Sequence, residues 1–472
     1  MKTTQNPPPL DVLVVGGGFS GAMVAVHLLR RCENLCVGIL DRGTHLGRGL
    51  AYSSPRRFHL LNVPAAKMSA LPDEPEHFLR WAQRNYGASV QARSFLPRTL
   101  YGDYVSSLFA ETVQDRSQNR VFWVQDEGLS IREEAARVVV ERKTGLDLVA
   151  HVVVLAIGNF PPADPQMAGL SASSSLYRPL AWGEPPLDDI PAGGSVLLIG
   201  SGLTSIDLVM ALKSKCFEGT IHVLSRKGLL PRRHKPSPPW PLYWHENSPR
   251  TTRELLRLIR VQIEEAATRG VNWRSVIDCL RPVTQQIWQS LPREEKRRFL
   301  RHLRSHWEVH RHRLAPEIAD VFSDMKAEGQ VHFHAGRVIR YRERGSIATV
   351  SYRDRYTRRK KSVKVNRVIN CTGSETDCRR IDDSLISSLF AQGLARPDPL
   401  FLGLDTDGHG ALLGYDGRPS TSLFTLGPTR KGSLWETTAV PEIRFQAAQL
   451  GEHLSHVLQA RVPARDALEK AV

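Results

Sequence analysis

The sequence predicts an α/β protein with two Rossmann-like dinucleotide-binding domains plus a helical insertion, and three observations predict it. An apolar run enters a glycine turn and then an apolar helix at Asp11-Val-Leu-Val-Val-Gly16-Gly17-Gly18-Phe19-Ser20-Gly21. The pattern returns at Ser195-Val-Leu-Leu-Ile-Gly200-Ser201-Gly202-Leu203-Thr204-Ser205, and each copy is followed by a second short apolar run. Two further apolar runs end in glycine, His151 to Gly158 and Asn366 to Gly373, the form taken where a chain passes between two such domains.

In the first fingerprint, Gly16 turns the chain out of the strand, Gly18 lets the backbone approach a pyrophosphate, and Gly21 lets the helix pack closely. Gly17, Phe19 and Ser20 share that turn. Asp41 closes the next run, twenty residues after Gly21, where a carboxylate accepts hydrogen bonds from ribose hydroxyls, with Arg42 beside it. This site is expected to hold FAD. The segments that follow, Leu46 to Tyr52 and Leu60 to Met68, place Arg48, Tyr52, Asn62 and Lys67 as polar candidates for the cofactor or substrate pocket.

Proline-rich joints fall at Asn6–Pro9, Pro161–Pro165, Glu184–Pro191 and Pro231–Pro241. The second fingerprint starts just after Pro191, with Gly200, Gly202, Leu203, Thr204 and Ser205 in the turn and Ser205 in place of the third glycine. The position matching Asp41 is Ser225, followed by Arg226 and Lys227. A site with no carboxylate and two cations suits a 2'-phosphate, so NADPH is expected there. Apolar residues then recur at helical spacing from Thr251 to about Asp324. His302, His306 and His310 read as one basic helix face, and Arg353–Lys361 as a solvated hairpin tip. Near the end, Leu423 to Gly427 is a strand reaching a glycine; Thr437 or Thr438 is expected to cap a helix whose first turn carries Pro441 and Glu442. Trp435, just before that helix, joins Arg48, Asn62 and Lys67 as a candidate for the catalytic site. The expected domains are residues 1–185 and 366–472 for FAD and 190–365 for NADPH, with a helical insertion at 250–325.

A net charge of +16 invites nucleic acid, but neither basic cluster carries interleaved aromatics, and the anionic cofactors account for positive charge as well. Six cysteines without a C-x-x-C pair argue against a disulfide scaffold, a zinc ribbon or a dithiol reductase; no metal is expected. The apolar stretch Val12–Leu29 is broken by three glycines and carries His27, so it reads as strand and helix, not as a membrane span, and a cytoplasmic protein is expected.

On Gly16–Gly21, Gly47-Arg-Gly-Leu-Ala-Tyr52, Leu61-Asn-Val-Pro-Ala-Ala-Lys67-Met68, Phe95-Leu-Pro-Arg98-Thr-Leu-Tyr101-Gly102, Leu224–Arg232 and Gly432–Glu442, the chain resembles the bacterial FAD-NAD(P)-binding oxidoreductases. These are two-Rossmann flavoproteins related to class B-like flavin monooxygenases, a group that includes a flavin-dependent urate hydroxylase. The resemblance implies a monooxygenase that uses FAD, NADPH and dioxygen to hydroxylate a small molecule through a flavin hydroperoxide. In such flavoproteins the last helix points its N-terminus at the flavin. An NADPH:acceptor oxidoreductase and a non-catalytic redox sensor are the alternatives, and no Ser/His/Asp or Cys/His arrangement competes with them.

Overall fold

The computed structural model describes residues 2–3, 6–53, 58–134, 137–171, 173–181, 190–191 and 193–469. It resolves into two compact units: residues 1–57, 63–159 and 376–472 form the first, and residues 58–62 and 160–375 the second.

The first unit is built on a sheet whose parallel strands run in the spatial order Arg120–Val124, Cys36–Leu40, Leu10–Val15, Leu148–Leu155, Pro419–Thr425. Three of these, Cys36–Leu40, Leu10–Val15 and Leu148–Leu155, are almost wholly buried, as strands covered on both faces must be, and so they read as continuous apolar runs in the sequence. The hairpin Gly128–Glu134/Arg137–Arg142 joins antiparallel to Leu148–Leu155. Helix Phe19–Arg31 crosses helix Val440–Glu469 so closely at Gly451 that a Cβ there would stand 2.7 Å from that of His27. Glycine is required at 451 by that approach.

The second unit repeats the plan. Its parallel order is Val331–Arg344, Thr220–Ser225, Ser195–Ile199, Arg367–Asn370, Tyr177–Arg178. Strand Val331–Arg344 is long enough to leave this sheet and continue as the first strand of an antiparallel meander with Ile347–Asp354 and Lys360–Val365.

Three sequence expectations change here. The joint at residues 185–190 lies largely outside the described residues, and the contacts assign the chain to the second unit already from Phe160, because Ala168 bridges to Arg340 and Tyr177–Arg178 pairs with Val368–Ile369. The helical region does not end as one insertion. Helix Pro316–Ala327 buries Phe322 and Met325 in the same core as Val209 and Val331, so it is the crossover helix of the Rossmann plan. The three histidines do not share one helix face either. Helix Arg293–His302 stops at Leu303 and a second helix runs Arg304–Arg311, leaving His302 at one helix end while His310 packs edge-on to Trp273 at 4.8 Å.

Among the described residues no helix is long and apolar enough to cross a membrane.

Candidate cofactor sites

Both fingerprints form the same strand, turn and helix, and both fold that way for the same reason. Gly16 (φ +106°) and Gly200 (φ +122°) donate their N–H groups at 2.8 Å to the carbonyls of Leu40 and Leu224, which bends the chain sharply off the strand. A Cβ at Gly16 would lie 2.3 Å from the Ala156 carbonyl oxygen, and one at Gly200 would lie 2.2 Å from that of Cys371. Only glycine fits either place. At Gly21 a Cβ would fall 1.9 Å from the Gly16 carbonyl, whereas the corresponding place in the second unit is taken by Ser205, which donates its hydroxyl to Gly202 O at 2.8 Å.

The helix starts fit a pyrophosphate. Neither Gly18 nor Gly202, the residues at the two N-caps, supplies a side-chain cap, and neither helix has an acidic residue in its first turn. The first-turn N–H groups therefore await an anion, and the helix dipole favours one. In front of Gly202 nothing lies within 4 Å of an added Cβ; Gly18 faces only Gly49, at 3.3 Å.

The end of the following strand is stapled to each glycine turn by a matched device. Asp41 accepts the N–H groups of Gly17 at 2.5 Å and Gly43 at 2.6 Å, and its two oxygens keep lone pairs for ribose hydroxyls. In the second unit Ser201 donates to the Ser225 hydroxyl at 2.8 Å, and Ser225 in turn accepts Gly228 N–H at 3.1 Å. A neutral serine pair thus does the stapling that a carboxylate does in the first unit, leaving the strand end free of negative charge. Arg226 is exposed there. Lys227 donates to the His302 carbonyl at 3.0 Å; burial lowers its pKa, with Arg355 and Arg226 adding to the effect. Arg42 is less telling: it points to solvent in a 3.5 Å pair with Glu127.

The loop Gly47–Tyr52 lies against helix Arg98–Asp115. Arg48 pairs with Asp103, and a Cβ at Gly102 would be 2.9 Å from the Tyr52 carbonyl and 3.0 Å from Arg48 Cγ. Two sequence segments that resembled the family separately are therefore halves of one contact. Beside it Phe19, Tyr52 and Tyr101 cluster, with ring centroids 4.8 to 6.5 Å apart, and burial drives the hydroxyls of Tyr52 and Tyr101 well above the usual tyrosine range. The Tyr101 hydroxyl is buried without a hydrogen-bond partner among the described residues. Of the four polar candidates, Arg48 and Tyr52 share this loop, Lys67 is exposed at the end of the turn Ala65–Lys67, and Asn62 falls in the second unit, where its carbonyl lies 3.0 Å from His234 Nε2.

At the C-terminal end, the capping role expected of Thr437 or Thr438 is not found. The helix begins at Val440, and Thr437, fully buried, donates to Gly427 O at 2.7 Å and accepts from Gln446 Nε2 at 2.7 Å, while Thr438 is exposed. The Thr437 hydroxyl is committed to holding the Gly427 turn, which itself lies against Ser20. Trp435 adopts φ +63°, ψ −70°, with Glu436 N–H reaching back to Leu434 O at 2.8 Å, a γ-turn of the strained hand. Gly158 (φ +71°) and Gly373 (φ +89°) end their strands close to where the chain leaves and re-enters the first unit.

Residues 13–160 match the family described as FAD-NAD(P)-binding. No curated protein sequence matches the chain. An ornithine N-hydroxylase from Kutzneria sp. 744, solved with reduced FAD, NADP+ and L-ornithine, superposes over 95% of this chain and 99% of its own, with TM-score 0.62 and 14% identity. The FAD-bound cadaverine monooxygenase from Erwinia amylovora covers 95% of each chain with TM-score 0.65 and 12% identity. A bacillithiol disulfide reductase from Staphylococcus aureus covers 96% of this chain and 98% of its own, with TM-score 0.56 and 12% identity. The chain thus shares its fold with these proteins over nearly its whole length.

Proposed function

We propose that the protein is an FAD-dependent, NADPH-using monooxygenase acting on a small molecule. The observation that carries this reading is the pair of uncapped fingerprint helices, one ending its next strand on Asp41 and the other on Ser225-Arg226-Lys227. Asp41, the Gly16–Gly21 turn and Arg48 would hold FAD; the Gly200–Ser205 turn, Ser225, Arg226 and Lys227 would hold NADPH. When bound, these groups supply two-electron transfer and the reduction of dioxygen. The chain's own part is to position them: glycine turns bring backbone N–H groups onto the pyrophosphates, and the Phe19, Tyr52 and Tyr101 rings cluster beside the first turn. The hydroxylases of similar fold act on amines, which places small amines first among substrates to test, with purines such as urate next.

A second reading, an NADPH:acceptor reductase, is favoured by the likeness to the disulfide reductase. Two of the thiols are poorly suited to thiol exchange. Burial holds Cys371 well above the usual thiol range and pushes Cys279 up to about 11, so neither offers a thiolate near neutral pH. All six cysteines are free, which suits the reducing cytoplasm.

The test is NADPH consumption in air, screened against amines, amino acids, purines and quinones with product mass followed in labelled dioxygen. One substrate that suppresses peroxide release and gains a labelled oxygen supports the proposal. Fast quinone reduction with no labelled product overturns it in favour of the reductase, and flavin bleaching without turnover would mean a sensor.

A further inference from the structure

The end of strand Thr220–Ser225 carries more positive charge than its own sequence supplies. Ser225 stands in register with Ala335 on the adjoining parallel strand, and the Ala335 carbonyl accepts the main-chain N–H of Arg355 at 2.8 Å. A residue from the hairpin between Ile347–Asp354 and Lys360–Val365 is therefore fixed two strands from Ser225, at the same end of the sheet. The turn that presents it is held by a single carboxylate. One oxygen of Asp354 accepts the N–H groups of Tyr356 (3.0 Å) and Thr357 (2.8 Å) and the Thr357 hydroxyl (3.0 Å), while the other takes Lys361 Nζ at 2.7 Å.

That carboxylate is thus fully engaged. Arg226 and Arg355 make no ion pair among the described residues, and Lys227 reaches only a carbonyl. Lys227 responds to Arg355 more than to its sequence neighbour Arg226, and His306 responds to both Lys227 and Arg355, so the groups lie within electrostatic reach of one another. Like charges held together by the backbone without a counterion raise the free energy of the empty site, and a dianion relieves it.

We propose that Arg355 is the third arm of an anion site with Arg226 and Lys227 that takes the ribose 2'-phosphate of the coenzyme, gripping it from the hairpin side. This rests on the NADPH reading above and adds to it a residue from what the sequence pattern alone marks as a solvated hairpin tip.

The experiment is calorimetric titration of NADP+, NAD+, 2',5'-ADP and 5'-AMP into the FAD-loaded wild type, Arg226→Ala, Arg355→Ala, Arg355→Gln and, as a control on the same hairpin, Lys360→Ala. Both Arg355 variants should weaken NADP+ and 2',5'-ADP roughly tenfold while NAD+ and 5'-AMP stay within about twofold. Lys360→Ala should leave all four unchanged. If Arg355 variants bind NADP+ like the wild type while Arg226→Ala loses discrimination, the third arm is refuted and the NADPH reading stands. Equal weakening of NADP+ and NAD+ by both Arg355 variants refutes it too, since Arg355 would then serve the fold alone. A wild type that binds NAD+ as tightly as NADP+ overturns the NADPH reading itself.

Discussion

Single residues divide into those the backbone demands and those a ligand would demand, and the glycines show the difference. Gly16 has a positive φ and a carbonyl where its Cβ would be, so Gly16→Ala should destabilise the whole first unit. Gly18 has ordinary dihedrals and only Gly49 nearby, at 3.3 Å, so Gly18→Ala should fold with native circular dichroism and yet lose FAD affinity. Loss of FAD from neither variant would remove the first fingerprint from the cofactor. Trp435 offers a second residue-scale check. At φ +63° an alanine keeps the strain that glycine relieves, so Trp435→Gly should be more stable than Trp435→Ala by about 1 kcal/mol, the reverse of the order in a helix. Urea denaturation of the two variants decides it. The glycine spacing was legible in the sequence because the turn needs those residues at those places. The Trp435 strain was not, since a tryptophan carries no mark of its dihedral angles.

At the level of elements, the C-terminal helix illustrates what residue type alone conceals. Two threonines before a helix invite a capping assignment, but the buried one is committed to Gly427 and Gln446. Thr437→Ala leaves those two buried groups partly unpaired and should cost about 1 to 3 kcal/mol, whereas the exposed Thr438→Ala should be nearly silent. Equal effects would restore the cap. This helix also meets helix Phe19–Arg31 at His27, whose ring is buried with Nε2 unpartnered and whose pKa falls to about 4, first by burial and then through Arg31 and Arg30. The unfolded chain takes up that proton near the ordinary histidine pKa of about 6.5 and the folded chain only near 4, so stability is full above 6.5 and drains as the pH falls between them. His27→Leu should flatten that slope by about 2 kcal/mol, allowing for solvent screening, in denaturation midpoints compared at pH 7 and pH 4.5. A variant as acid-sensitive as the wild type would shift the cause to other depressed histidines, such as His222 and His234.

Over the whole molecule, the first unit is assembled from sequence segments on either side of the second, and the paired strand-to-glycine runs ending at Gly158 and Gly373 announced that pattern because both lie near the exchange points. The third cation proposed for the coenzyme site stayed hidden for the opposite reason. Arg355 is remote from Ser225 in sequence and comes near it only through strand register, which no local motif encodes. The net charge of +16 acts at this scale as well. NADPH carries a phosphate that NADH lacks, worth about −1.5 to −2 charges near neutral pH, and the screening length shrinks from about 30 Å at 0.01 M ionic strength to about 8 Å at 0.15 M. Association with NADPH should therefore fall roughly tenfold over that range, against roughly threefold for NADH, in stopped-flow measurements. Neutralising Arg226 and Arg355 together should bring the two salt dependences close to one another, because the local cluster, and not the diffuse surface charge, discriminates the extra phosphate. Wild-type slopes that already coincide would show that the positive surface attracts both coenzymes without telling them apart, and would leave the strand-end cluster without a role in the encounter.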